Sequence, residues 1–192
     1  MGTRQKHQGT PWLYDDVTGD IVGVKDPDGS ELYFMRVPHV GSFYDMTTQT
    51  VDAEDEPQAM TFNTTAFSKG ITMVAGSKIT MSRKATYNIQ FSAQMDRTAS
   101  GVDTVSVWLR KNGVDVADSC TDVTISGGAN AAKVVAAWNF FVEALVGDYF
   151  ELMWSTPDDR VTLHYEAART NPTRPGLPSI ILTVNEVDGS YP

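Results

Sequence analysis

The stretch Ala132–Trp154, AKVVAAWNFFVEALVGDYFELMW, decides the fold. Within it Val134, Ala136, Trp138, Phe140 and Val142 fall at every second position, with Lys133, Ala137, Asn139 and Glu143 between them. A period of two is the signature of a pleated strand with one face in a core. Val146-Gly147-Asp148 then turns the chain, and Tyr149–Trp154 begins a second strand. A helix is the rival reading, because Val134, Trp138, Phe141 and Leu145 also sit at helical spacing. The glycine turns on either side and the aromatic and β-branched content favour strand. Together with Ala85–Asp96 (ATYNIQFSAQMD), where Tyr87, Ile89 and Phe91 alternate, the stretch predicts a two-sheet, all-β fold.

A chain of 192 residues is long enough for one substantial β domain, burying roughly 70% of its unfolded surface. Hydrophobic content of 41% with 10% aromatics is a globular composition. The net charge of −9 argues against a phosphate-binding surface, and so against nucleic acid as the partner. A single cysteine, Cys120, excludes an internal disulfide framework. No apolar run approaches the roughly 20 residues of a membrane span. The basic start MGTRQKHQGT lacks a following apolar stretch and does not read as a secretory signal. No route for secretion and no membrane insertion are expected.

Residues 1–40 read as an N-terminal arm with a small hairpin, and 41–192 as the main domain. Ile21–Val24 and Glu31–Met35 flank Lys25-Asp26-Pro27-Asp28-Gly29-Ser30, where Pro pre-sets φ and Gly accepts φ > 0. Asp15–Gly19 reads as a second turn. A hairpin this small is marginal alone, so its apolar residues Trp12, Leu13, Tyr14, Ile21, Val22, Tyr33 and Phe34 are expected to lie against the chain's own main domain, a sister subunit or, the favoured reading, another protein. From Ser42 onward, turn signals recur at about 8–12 residues, the spacing of a sandwich or jelly roll. Asn112-Gly113 is the strongest hairpin signal among them. About ten antiparallel strands are expected. No repeat and no heptad pattern is present, so no coiled-coil shaft is expected.

Residues for chemistry are sparse. The three histidines, His7, His39 and His164, fall on the arm, the junction and a predicted strand. The arrangement His164 with Asp158 and Asp159 is the nearest approach to an acid–base group, and packing explains it better. Asp26–Glu31 resembles the start of a calcium loop, but its glycine comes too early and no glutamate closes the ring. No catalytic residue, metal site or cofactor is expected. Trp108, Trp138 and Trp154 are expected on strands, in the core rather than as sugar platforms.

Two segments carry a family resemblance. Ala85–Phe91 and Leu145–Leu152 resemble the Gly-x-Tyr-x-Phe strand and the Leu-x-x-Gly-Asp-x-Val-x-Leu segment of C1q/TNF-like jelly rolls, with Ala85 in place of glycine and Phe150 in place of valine. GSFYDM (41–46), YNIQFSAQMD (87–96), VWLRKNG (107–113), AAWNF (136–140), GDYFELMWS (147–155) and NPTRPGLPSIILT (171–183) are similar to jelly-roll domains of tailed-bacteriophage structural proteins. The resemblance implies a homotrimer with one sheet of each subunit facing a threefold axis. Val135, Ala137 and Phe141, which leave their strand apolar on its second face, are then the expected trimer interface. It implies a virion protein at the capsid surface, a decoration (cement) or short head-fibre protein whose partner is the major capsid protein or another virion protein. The alternatives are a receptor-binding tail-fibre tip and a carbohydrate-binding adhesin with a host surface glycan as ligand.

Overall fold

The computed structural model describes residues 12–14, 21–25, 28–33, 37–127 and 132–188. Two compact units divide the chain, 1–38 and 39–192.

The first unit is a three-stranded antiparallel sheet in the order β1 (Trp12–Tyr14), β2 (Ile21–Lys25), β3 (Glu31–Tyr33). The β2–β3 hairpin is the one expected from Pro-Asp-Gly. Gly29 takes φ +91°, and the Ser30 backbone N–H donates to Asp28 Oδ1 at 2.9 Å. Lys25 and Glu31 face each other across the ladder with a 3.7 Å ion pair. The turn expected at Asp15–Gly19 lies outside the described residues.

The second unit is all antiparallel strand, with no helix among the described residues. Its strands are β4 (Val40–Asp45), β5 (Gln49–Thr50), β6 (Gln58–Ala59), β7 (Thr64–Lys69), β8 (Ile71–Val74), β9 (Lys78–Met81) and β10 (Ala85–Arg97). They continue with β11 (Gly101–Lys111), β12 (Val114–Asp115), β13 (Thr121–Gly127), β14 (Ala132–Ala144) and β15 (Tyr149–Ser155). The last are β16 (Val161–Leu163), β17 (Arg169–Thr170), β18 (Thr173–Arg174) and β19 (Ile180–Asp188). One seven-stranded sheet runs β5-β16-β10-β19-β4-β7, with β14 on the other flank of β10; the other runs β12-β11-β15-β9-β8, with β13 beside β11 and β6 beside β15. The chain crosses between the sheets at β5–β6, β6–β7, β7–β8, β9–β10, β10–β11, β13–β14, β14–β15 and β15–β16. This is a two-sheet sandwich whose connectivity is consistent with a jelly roll.

The helix alternative fails along the whole of Ala132–Ala144, which pairs residue for residue with Ala85–Arg97. The alternation has the expected sense. Tyr87, Ile89, Phe91, Ala93 and Met95 on the β10 sheet meet Val105, Val107, Leu109, Leu152 and Trp154 from the β15 sheet in one core. Each such large side chain contributes roughly 1.5–3 kcal/mol on leaving water. Trp138 seals the flank, packing edge-on against Phe91 with ring centroids 4.6 Å apart.

Two turns predicted separately are clipped together. Asn112 and Gly113 take φ +51° and +83°, and Gly147 takes +84°, the left-handed region that suits Gly and Asn. The Asn112 amide donates to Asp148 Oδ1 at 2.7 Å and accepts the Tyr149 backbone N–H at 2.9 Å. Lys111 Nζ lies 2.8 Å from Asp148 Oδ2. Burial acts to raise the Asp148 pKa, but hydrogen bonds from Lys111, the Leu145 backbone and Asn112 outweigh it and bring it to about 2.

Candidate interaction surfaces

The pleat of β10 and its neighbours sends alternate residues out of the sandwich, and register places them in rows. Ala137 lies opposite Ser92, Ser92 opposite Ile181, and Ile181 opposite Tyr44. Two pleat repeats along, Phe141 lies opposite Asn88 and Asn88 opposite Asn185. All three residues expected at a trimer interface therefore share one outward face. Phe141 is 64% exposed, Val135 54% and Ile181 40%, and Ala137 is exposed too. Between them Asn139 donates its amide to Asn88 Oδ1 at 3.0 Å, which keeps the polar side chains of this face occupied with each other. Leaving two valine- and phenylalanine-sized groups in water beside an isoleucine costs solvation without helping the fold.

A charged cluster closes one end of that face. Asp96 pairs in register with Lys133. Its Oδ2 lies 3.9 Å from Lys133 Nζ and 3.6 Å from His164 Nδ1, while Oδ1 has no hydrogen-bond partner among the described residues. Burial pushes the His164 pKa down, Lys133 adds to the effect, and Asp96 opposes it. Beyond Lys133, Glu166 pairs with Arg169 and, at 2.6 Å, with Arg174. The grouping of His164 with Asp158 considered from the sequence is not built. Asp158 is committed to two arginines, Arg97 at 3.1 Å and Arg160, and these hold its pKa at about 2, chiefly through the Arg160 side chain. Arg97 is itself buried and also ion-paired with Asp103. Sequence reading found neither cluster, because Asp96 and Lys133 lie on β10 and β14 and His164 just past the end of β16, brought together only by strand pairing.

His39 is buried, with its ring packed where a Cβ on Gly70 would need to sit. His7 lies outside the described residues. Cys120 is exposed. Among the described residues no group of three or more His, Cys, Asp or Glu side chains is arranged to hold a metal ion, and no helix is long and apolar enough to cross a membrane.

The tryptophans divide. Trp154 is fully buried and Trp138 packs against the core, as expected. Trp108 corrects the expectation. It alternates with buried Val107 and Leu109 and stands half-buried on the outward face of the β15 sheet. The sequence signal was available: three core residues, Val105, Val107 and Leu109, hold the odd positions of β11, which sends the even ones outward.

In the first unit Trp12, Tyr14 and Ile21 are 53%, 56% and 48% exposed, and Leu13 is intermediate. Val22 and Tyr33 lie on β2 and β3. The side chains of Val22 and Tyr33, and Phe34 entirely, lie outside the described residues.

No protein-family model matches this sequence, and no curated protein matches it.

Proposed function

We propose that this chain is a non-enzymatic structural protein of a tailed-phage virion: a homotrimeric capsid decoration (cement) or short head-fibre protein. It is made in the host cytoplasm and sits at the capsid surface, anchored to the major capsid protein or another virion protein by its N-terminal segment. The observation that carries this reading is the outward face of the β10 sheet. Val135, Phe141 and Ile181 are exposed on a sheet whose opposite face already fills the core, and an identical subunit is the simplest partner for a sheet that is apolar on both sides. The C1q/TNF-like motifs at Tyr87–Phe91 and Gly147–Leu152, on a sandwich with jelly-roll-like connectivity, support three subunits around one axis. The exposed Trp12, Tyr14 and Ile21 of the separate N-terminal unit supply a docking surface of the aromatic kind that dominates interface energetics.

Light scattering on the full chain tests the assembly, with an expected mass three times the 21.0 kDa protomer. A stable lone protomer at micromolar concentration overturns it. In the double variant Trp12→Ser, Tyr14→Ser the trimer is expected to persist while association with capsids is lost. Copy number in the particle separates head from tail: a number comparable with the major capsid protein supports decoration, and a small fraction of it supports a tail-fibre tip.

A further inference from the structure

The outward face of the β15 sheet has a different chemistry. Trp108 lies directly across the ladder from Met153, which also points away from the core yet is only 2% exposed. Met153 stands between Leu152 and Trp154, both core residues, and lies outside the core cluster itself. A methionine buried on an outward face needs a cover, and the indole in register with it is the large apolar group at that place. The ring is also tethered. Its Nε1–H donates to Asp115 Oδ1 at 2.9 Å, and Arg110 Nε donates to the same oxygen at 2.7 Å. Trp108 is thus tethered at its ring nitrogen on the outward face of the sheet, half-buried and in register with Met153.

Hydrogen-bonding groups surround this ring. Arg110 spends Nε on Asp115 and lies opposite Glu151, whose Oε1 accepts from Ser77 at 2.7 Å. On the other flank Asp122 Oδ1 accepts from Ser106 Oγ at 2.7 Å. Asp122, exposed on β13, keeps acceptor capacity on one flank of the ring, and the Arg110 guanidinium beside Asp115 lies on the other, while Glu151 is buried. An indole held by its own hydrogen bond offers a rigid apolar surface with no ordering cost on binding.

We propose that this face, centred on Trp108 with Arg110, Asp115 and Asp122 around it, is a carbohydrate-binding platform for the neutral hexose units of a surface glycan. The C–H face of a pyranose ring stacks on the indole, and its equatorial hydroxyls meet the carboxylates and the guanidinium. Charge selects the class: three carboxylates (Asp115, Asp122 and Glu151) around one arginine disfavour a phosphate-rich or polyanionic partner. An open platform of this kind binds each sugar weakly, with Kd of about 0.1–1 mM. The proposal does not depend on where in a virion the chain sits or on its oligomeric state.

The test is calorimetric titration of the full-length chain with three soluble probes, maltohexaose, cellohexaose and chitohexaose. Saturable binding of at least one is expected. Trp108→Ala is expected to weaken it at least tenfold, and Trp108→Phe to retain part. Asp115→Ala, which frees the indole while leaving the core intact, is expected to weaken it severalfold. Absence of saturation by all three probes at about 10 mM overturns the proposal, as does binding that persists unchanged in both Trp108→Ala and Asp115→Ala.

Discussion

On the outward side of the β10 sheet Val135, Phe141 and Ile181 stand in water; on the outward side of the β15 sheet the corresponding pleat positions of β11 carry Thr104, Ser106, Trp108 and Arg110. On the second face polar groups pair with one another, and its exposed valines, Val74 on β8 and Val102 on β11, stand beside Lys78 and Ser126. Both sheets share one core, so their inward residues answer to the same packing requirement. Their outward residues answer to none, because a strand needs only one buried face to fold. The contrast between the faces is therefore free to follow what each one meets: under the proposed assembly, a dry protein surface on one side, and water or a polar ligand on the other.

The largest expected effect comes from putting a charge on the dry side. Phe141→Asp is expected to reduce the light-scattering mass of the full chain to about one-third of the trimer's, while Thr104→Asp on the wet side leaves it unchanged. If both variants keep the parent mass, the apolar face is not where subunits meet.

Truncating the shared core sharpens the comparison from inside. Phe91→Ala on one sheet and Leu152→Ala on the other are each expected to cost about 3–5 kcal/mol in urea unfolding, because both leave cavities in the same packed layer. A single transition in each variant is the expected outcome. A transition split between the two sheets contradicts one cooperative sandwich.

Next in size is the charged end of β10. Asp158→Ala leaves buried Arg97 short of a carboxylate and is expected to cost about 3 kcal/mol at pH 7. The sign with pH follows from a folded pKa of about 2 against an ordinary value of 3.8. The stabilisation is complete above about pH 4 and fades as pH falls through 2. Chemical-denaturation midpoints at pH 7, 4 and 2.5 check this, with the gap between parent and variant narrowing only at the lowest pH.

The smallest effect is at the Gly147 turn. A Cβ there meets nothing within 4 Å, so the cost of Gly147→Ala is that of φ +84° alone, about 1 kcal/mol. Asn112→Ala, which unclips the two turns, tests whether their junction adds to it.

Much of this architecture was legible in the chain. The alternation of Val134, Ala136, Trp138, Phe140 and Val142 gives a strand and its inward face, because a period of two admits no other regular structure with one buried side. Asn112-Gly113 and Gly147-Asp148 mark turns, because positive φ is cheap for few residues. The same alternation marks Val135, Ala137 and Phe141 as a second apolar set. Trp108 was misplaced because hydrophobicity is a poor guide to direction for an aromatic ring with a polar edge, and only the phase of β11 settles it.

By itself, the order of residues determined strands, turns and which side chains each strand presents together, since these depend on neighbours one to four positions away. Tertiary structure alone decided that Asp96, Lys133 and His164 gather at one end of a sheet, that Asn112 clips Asp148, and that Trp108 stands in register with Met153. Those contacts join residues from about 30 to nearly 70 positions apart, and strand register, a property of paired backbones rather than of any one segment, brings them together.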